Sequence, residues 1–397
     1  MRSGPKAPTR SREHSWRIIE LADYGGPYPG SFVPMMTRLA ERARARGARV
    51  EAVFSNVARE RSWLREFEAK AIPVRFMPTR PFRAARERIS EMLAGFDGPT
   101  VLHTHFTSFD LPAVAAATSR RNAAVVWHVH AGATAALPAK LRNVAKYSLV
   151  GARVDRILCV SPEAATALRK RSLFRGQIEF FVNAIDTDRF PRITAAERAA
   201  ARAKLAVPAT AAALVHFGWD WERKGGDIFL AAAKLICADD DRDVVAVTVG
   251  GGDKARALRD ELRLGARVLI PDATADVRTF YAAADAFVAP SRSEGMPYAV
   301  AEALATGVPV VASDIPGHRV LCEGLGACRL TSLDANGIAA ATNALLARGP
   351  AEAEAEADAA AERMRDSFDL RSWCDRLLDL YEDVLDAGRP ALRQRPG

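Results

Sequence analysis

Short apolar runs alternate with helically spaced apolar positions along most of the chain. In the first half the candidate strands are RIIELA (17–22), VEAVF (50–54), VRFMP (74–78), TVLHTHF (100–106), AVVWHVH (124–130), RILCVS (156–161) and IEFFVNA (178–184). Helical patterns at 32–46, 83–95, 137–150 and 163–171 separate most of them. The pattern breaks over 186–212, where prolines mix with an Ala/Arg helix. Alternation then restarts with ALVHFG (213–218), VVAVTVGG (244–251), RVLIP (267–271), AFVAPS (286–291) and PVVAS (309–313). Repeated β-α alternation predicts parallel sheets covered by helices on both faces. The expected fold class is α/β, with two doubly wound, Rossmann-like domains facing across a cleft. Their limits read as 16–190 and 191–365, with a disordered basic arm at 1–15 and a basic tail at 389–397. A C-terminal helix at 366–388 is expected to pack back on the first domain. Ligands of such sheets bind at the carboxyl ends of the strands, so the cleft is the expected site.

Charge sharpens this division. Residues 1–190 hold 31 Lys+Arg against 17 Asp+Glu, a balance of +14, and the remainder holds 25 against 31, a balance of −6. The basic half suits phosphates, nucleic acid or an anionic membrane, and equally a set of solvated arginine-rich helix faces. Nucleic acid ranks last, because the basic residues lack interleaved aromatics. No run of eighteen apolar residues is present, so no membrane-spanning helix is expected. The segment MRSGPKAPTRSREHSW lacks the apolar stretch of a secretory signal, and a cytoplasmic location is expected. Cys322 and Cys328 lie six apart, which fits no common zinc spacing, and all five cysteines read as reduced thiols.

Candidate chemistry concentrates at 291–313, SRSEGMPYAVAEALATGVPVVAS. Glu294 falls in a loop after a buried strand, and Glu302 falls inside the next helix. Pro297 suits the first helical position and Gly307 the stop. The helix start offers free N–H groups and positive potential to a diphosphate. Each carboxylate can accept several hydrogen bonds from the hydroxyls of a sugar or a ribose. An ordinary strand–helix unit with a capping glutamate is the competing reading.

This stretch resembles the E-x7-E signature of the family 4 retaining glycosyltransferases, which have the GT-B fold. The resemblance implies that Glu294 contacts the donor sugar and Glu302 the ribose of the nucleotide. It also implies that Gly295, Met296 and Pro297 approach the donor by backbone. HFGWDWERKGGDIFLAA (216–232) is similar to the family's G-R-x-x-x-x-K-G segment, which makes Lys224 the phosphate-binding lysine. Trp219 stands in the arginine position, and Arg223 either restores that charge or faces solvent. VNAIDTDRF (182–190) resembles N-G-V-D-x-x-x-F, with Ala184 in place of the glycine. The family's base-holding backbone matches Ile270, Asp272 and their neighbours. Gly30 and Ser31 align with paired glycines near the donor phosphates, with a plain turn as the alternative for Gly30.

Four of the seven histidines are paired at i, i+2 near the ends of two candidate strands: His103 with His105, and His128 with His130. Such spacing puts each pair on one strand face, and a doubly wound order would make the strands adjacent. His130 matches the family's donor-contacting histidine. A metal site is the weaker reading, and satisfied core residues are the expectation for His103 and His128.

The implied activity moves a sugar from a nucleotide diphosphate sugar, UDP- or GDP-linked, to an acceptor hydroxyl with retention. It needs no metal and no other cofactor. The expected acceptor is a glycan or lipid-linked molecule of cell-envelope or polysaccharide biosynthesis. Helix 137–150 is read as core or, less readily, as a contact with an anionic membrane at its inner face. A non-catalytic sugar-nucleotide or glycan-binding protein and a sugar-nucleotide epimerase are the rival readings.

Overall fold

The computed structural model describes residues 16–130, 146–171, 177–238 and 243–387. Among these, one sheet comprises β1 (Trp16–Ala22), β2 (Ala48–Ser55), β3 (Val74–Met77), β4 (Thr100–His105), β5 (Ala123–Val129), β6 (Arg156–Cys159) and β7 (Ile178–Phe180). A second comprises β8 (Ala212–Phe217), β9 (Val244–Val249), β10 (Val268–Leu269), β11 (Ala286–Ala289), β12 (Val310–Ser313) and β13 (Cys328–Thr331). All the pairings are parallel, in the orders β3-β2-β1-β4-β5-β6-β7 and β10-β9-β8-β11-β12-β13. Every residue of β1 is buried, which is why WRIIELA shows no clean polar alternation.

Helices cover both faces of each sheet. Phe32–Ala45, Leu64–Ala69 and Leu370–Asp386 contribute to one core of the first domain. Phe82–Ala94, Asp110–Ala117 and Pro162–Arg171 contribute to the core on its other face. In the second domain, Tyr298–Thr306 and Pro350–Phe368 lie on one face, and Gly226–Cys237 and Ala335–Leu346 on the other. The chain crosses between domains twice, side by side. The Ile185 N–H donates to the Phe368 carbonyl at 2.9 Å, and the Leu370 N–H to the Ile185 carbonyl at 2.9 Å.

Several expectations need correction. β13 was not anticipated, because CRLT is short and only its first residue is buried. Pro297 is the N-cap of Tyr298–Thr306 rather than its first residue; its extended conformation lets its carbonyl accept from Val300 and Ala301. Gly307 does end that helix, at φ 82°. Cys322 and Cys328 are joined in a disulfide, not reduced. One ends the helix Pro316–Cys322 and the other opens β13, and the turn between them returns their Cα atoms to 5.3 Å. Of helix 137–150, residues 137–145 lie outside the described residues, as do 1–15 and the tail. Its remainder, Lys146–Val150, is a single π-helical turn. There Tyr147 is buried in the first-domain core, and Lys146 pairs with Asp110. No helix among the described residues is long and apolar enough to cross a membrane.

Candidate active site

Each sheet has a point where successive strands turn to opposite sides, between β1 and β4 and between β8 and β11. Loops leaving a sheet there splay apart and open a crevice at the carboxyl ends of the strands. The candidate residues collect at these two points. Across the cleft, the Ser31 hydroxyl donates to Glu302 at 2.8 Å, and the Tyr28 hydroxyl to the Ala273 carbonyl at 2.7 Å. A Cβ added to Gly295 would lie 2.5 Å from the His130 carbonyl oxygen, so only glycine allows this approach.

On the second-domain side, Glu294 follows β11 and is almost wholly buried. It accepts from Lys224 Nζ at 2.6 Å, Arg223 Nη1 at 2.8 Å and Ser291 Oγ at 3.0 Å. Burial pushes this carboxyl's pKa upward, but Lys224 and Arg223 outweigh it and hold it below the usual carboxylate range. Lys224 and Arg223 end the short helix Trp221–Lys224, which Gly225 closes at φ 70°. Arg223 therefore points to Glu294, with its side chain still one-third exposed. Its Nε also donates to Asp220 at 2.6 Å. Trp219 departs from the motif, and its exposed ring lies 5.3 Å from the Arg223 guanidinium carbon and 5.5 Å from Lys224 Nζ. The indole thus supplies a cation-binding face where the motif has a cation.

Glu302, one side of the following helix, is buried against Ser31 and the Tyr281 hydroxyl, which donates to it at 2.9 Å. Burial raises its pKa, because two neutral donors offset desolvation less than cations do. Gly30 adopts φ 53° just before Ser31, the N-cap of Phe32–Ala45. Met296 is buried in the second-domain core, leaving its backbone for the cleft. Ile270 is half-buried and Asp272 exposed on the loop after β10, beside the Gly250 turn.

On the first-domain side, β4 and β5 are neighbours and the four paired histidines do cluster. His105 Nδ1 lies 2.9 Å from His130 Nε2, and His105 Nε2 lies 2.8 Å from Glu20 Oε2. Tyr381, from the C-terminal helix, reaches Glu20 Oε1 at 3.1 Å. Glu20 was not singled out in the sequence. Its signal was a carboxylate in the middle of a buried strand, which must have partners. His103 and His128 are buried but not satisfied: His103 Nε2 and both His128 ring nitrogens have no hydrogen-bond partner. Nitrogens of His103, His105 and His128 lie within 4.8 Å of one another. The rings of His103 and His128 are inclined by only 16°, and both His105 nitrogens already have partners in His130 and Glu20.

Burial and the neighbouring His103 push the His105 pKa down to about 4, and burial also lowers His128 and His130. His105 is therefore neutral in the fold at pH values where the unfolded residue is already protonated. Its contribution, about 3 kcal/mol, is complete above about pH 6.5 and lost as pH falls to about 4. The melting temperature is expected to fall steadily from about pH 7 to about pH 5. A flat profile over that window would show that these imidazoles are not held neutral.

Residues 35–189 match the family described as Glycosyltransferase Family 4, and residues 211–348 that described as Glycosyl transferases group 1. A D-inositol 3-phosphate glycosyltransferase from Mycobacterium sp. (strain KMS) is 33% identical over 220 residues, covering 53% of this chain and 49% of that protein. The chain thus spans about half the length of these curated relatives. An Escherichia coli UDP-Gal:alpha-D-GlcNAc-diphosphoundecaprenol alpha-1,3-galactosyltransferase is 35% identical over 108 residues, covering 26% of this chain and 28% of that protein. The glycosyltransferase structure from Rickettsia africae superposes with a TM-score of 0.79 at 16% identity, covering 94% of this chain and 99% of that one. Anabaena HepE in complex with UDP-glucose superposes with a TM-score of 0.77 at 19% identity, covering 92% and 99%. These likenesses, with the two parallel sheets and the cleft between them, place the chain in glycosyltransferase family 4, with the GT-B fold.

Proposed function

We propose that the protein transfers a sugar from a nucleotide diphosphate sugar to an acceptor hydroxyl, with retention at the anomeric carbon. The observation that carries this reading is the grouping of Glu294, Lys224 and Arg223 opposite His130 and Ser31. Both cations donate to Glu294. A diphosphate entering beside the start of Tyr298–Thr306 would draw Lys224 and Arg223 onto its oxygens and free Glu294 for sugar hydroxyls. As the bond from the anomeric carbon to the diphosphate breaks, negative charge grows on the leaving oxygen, and the same two cations stabilise it. The acceptor oxygen bonds to the anomeric carbon from the same face, and its proton passes to the departing phosphate. The chain's own cations do what a metal ion does in other transferases, so the reading requires no metal.

UDP-linked donors stand first, because the Anabaena neighbour binds UDP-glucose, with GDP-linked donors second. The Escherichia coli relative acts on a lipid-linked diphosphate sugar. With the basic first domain, this supports a glycan or lipid-linked acceptor at the cytoplasmic face of a membrane. Donor panels followed by NMR test the reading. Nucleotide release with the product's anomeric configuration unchanged is expected. Inversion would overturn retention, and binding without turnover would favour the non-catalytic alternative.

Glu302 is assigned to the ribose. Glu302→Ala removes charged acceptors worth about 1.5–3 kcal/mol. It is expected to weaken nucleotide binding about ten- to a hundred-fold by calorimetry. Unchanged affinity would remove this residue from the donor site.

A further inference from the structure

The chain Glu20–His105–His130 has only one consistent direction. Glu20 is buried, and although burial pushes its pKa upward, the imidazoles of His103 and His105 hold it down at about 2. A carboxylate can only accept hydrogen bonds. Every group facing Glu20 must therefore donate: Tyr381 to Oε1 and His105 Nε2 to Oε2, while His103 Nδ1 donates to the Tyr381 oxygen and lies 3.1 Å from Oε2. With its single proton on Nε2, a neutral His105 presents a bare lone pair at Nδ1. Its partner there, His130 Nε2, must then carry the proton. A neutral His130 is left with a bare Nδ1. His128, stacked on His130 with ring centroids 4.3 Å apart, makes no hydrogen bond that could reverse this order.

We infer that Glu20 and His105 are positioning residues that fix the tautomer of His130, so that its Nδ1 meets a hydroxyl of the transferred sugar as hydrogen-bond acceptor. This rests on the transferase reading for the sugar, but the tautomer itself does not depend on it. The proton order is written into the buried strands before any ligand arrives. It selects a donating O–H at that position and disfavours a carboxylate or phosphate oxygen, which would face a lone pair.

The test is a long-range nitrogen–proton NMR spectrum of the ligand-free protein labelled with 15N-histidine, with His130 assigned by His130→Gln. At pH 7 the wild type is expected to show His130 as the Nε2–H tautomer. The Nδ1–H tautomer, or an imidazolium, overturns the inference. In Glu20→Gln the new amide can donate to His105 Nε2, which lets the chain reverse. His130 is then expected to move largely to the Nδ1–H form, and Glu20→Asp to keep the wild-type form. An unchanged His130 tautomer in folded Glu20→Gln also overturns the inference. If Glu20→Gln does not fold, the wild-type and Glu20→Asp spectra still decide it. With an active donor, Glu20→Gln is expected to lower kcat/KM about ten-fold. A protein with no transferase activity but the expected tautomer refutes the function and leaves the proton order standing.

Discussion

Glu294→Gln is expected to lower kcat by about a hundred- to a thousand-fold while nucleotide affinity holds or improves. Glutamine keeps the shape of the side chain and can still accept from Ser291 at the position where the carboxylate does so at 3.0 Å. It loses the negative charge that holds Lys224 and Arg223 in place. Both cations are then free to engage a diphosphate without competition, so binding of the nucleotide alone should not suffer. What is lost is a charged acceptor for the sugar at the reacting centre, the interaction assigned to the transition state. The measurement is kcat beside the nucleotide Kd. A variant that turns over like wild type removes Glu294 from the chemistry. One that loses nucleotide binding as well makes it part of the phosphate site.

Trp373→Ala is expected to destabilise the first domain by about 3–5 kcal/mol. Trp373 is fully buried in the first-domain core although it lies beyond the whole second domain in sequence. It packs edge-on against Phe181 with ring centroids 5.5 Å apart, lies parallel to His128, and donates from Nε1 to the Val182 carbonyl at 2.8 Å. Truncation removes the ring, leaves a cavity and orphans that carbonyl. Leu377, Leu378 and Tyr381 share the same core, so Leu370–Asp386 acts as a first-domain helix supplied from the far end of the chain. Urea unfolding read through the remaining first-domain tryptophans measures the effect. A loss below about 1 kcal/mol would mean that the helix is only loosely attached.

The two domains were legible in sequence because buried parallel strands are short apolar runs bounded by turns, and each run was found except CRLT. Glu294 and Glu302 were legible because carboxylates around an otherwise apolar strand–helix unit need a ligand or a partner. The direction of Arg223 was not, because a four-residue helix has no apolar face to set its phase. Glu20 escaped notice because its partners come from a neighbouring strand and from Tyr381, 361 residues away. The Cys322–Cys328 bond was missed because a six-residue separation says nothing about whether the turn between them closes.

A nucleoside diphosphate is expected to sit between Lys224, Arg223 and Glu302. Calorimetric titration of the wild-type protein with UDP, GDP and ADP tests it most directly. Saturable binding of one of these nucleotides at a single site is expected, with a melting temperature that rises with its concentration. No binding of any of them, to a protein shown to be folded, would contradict it.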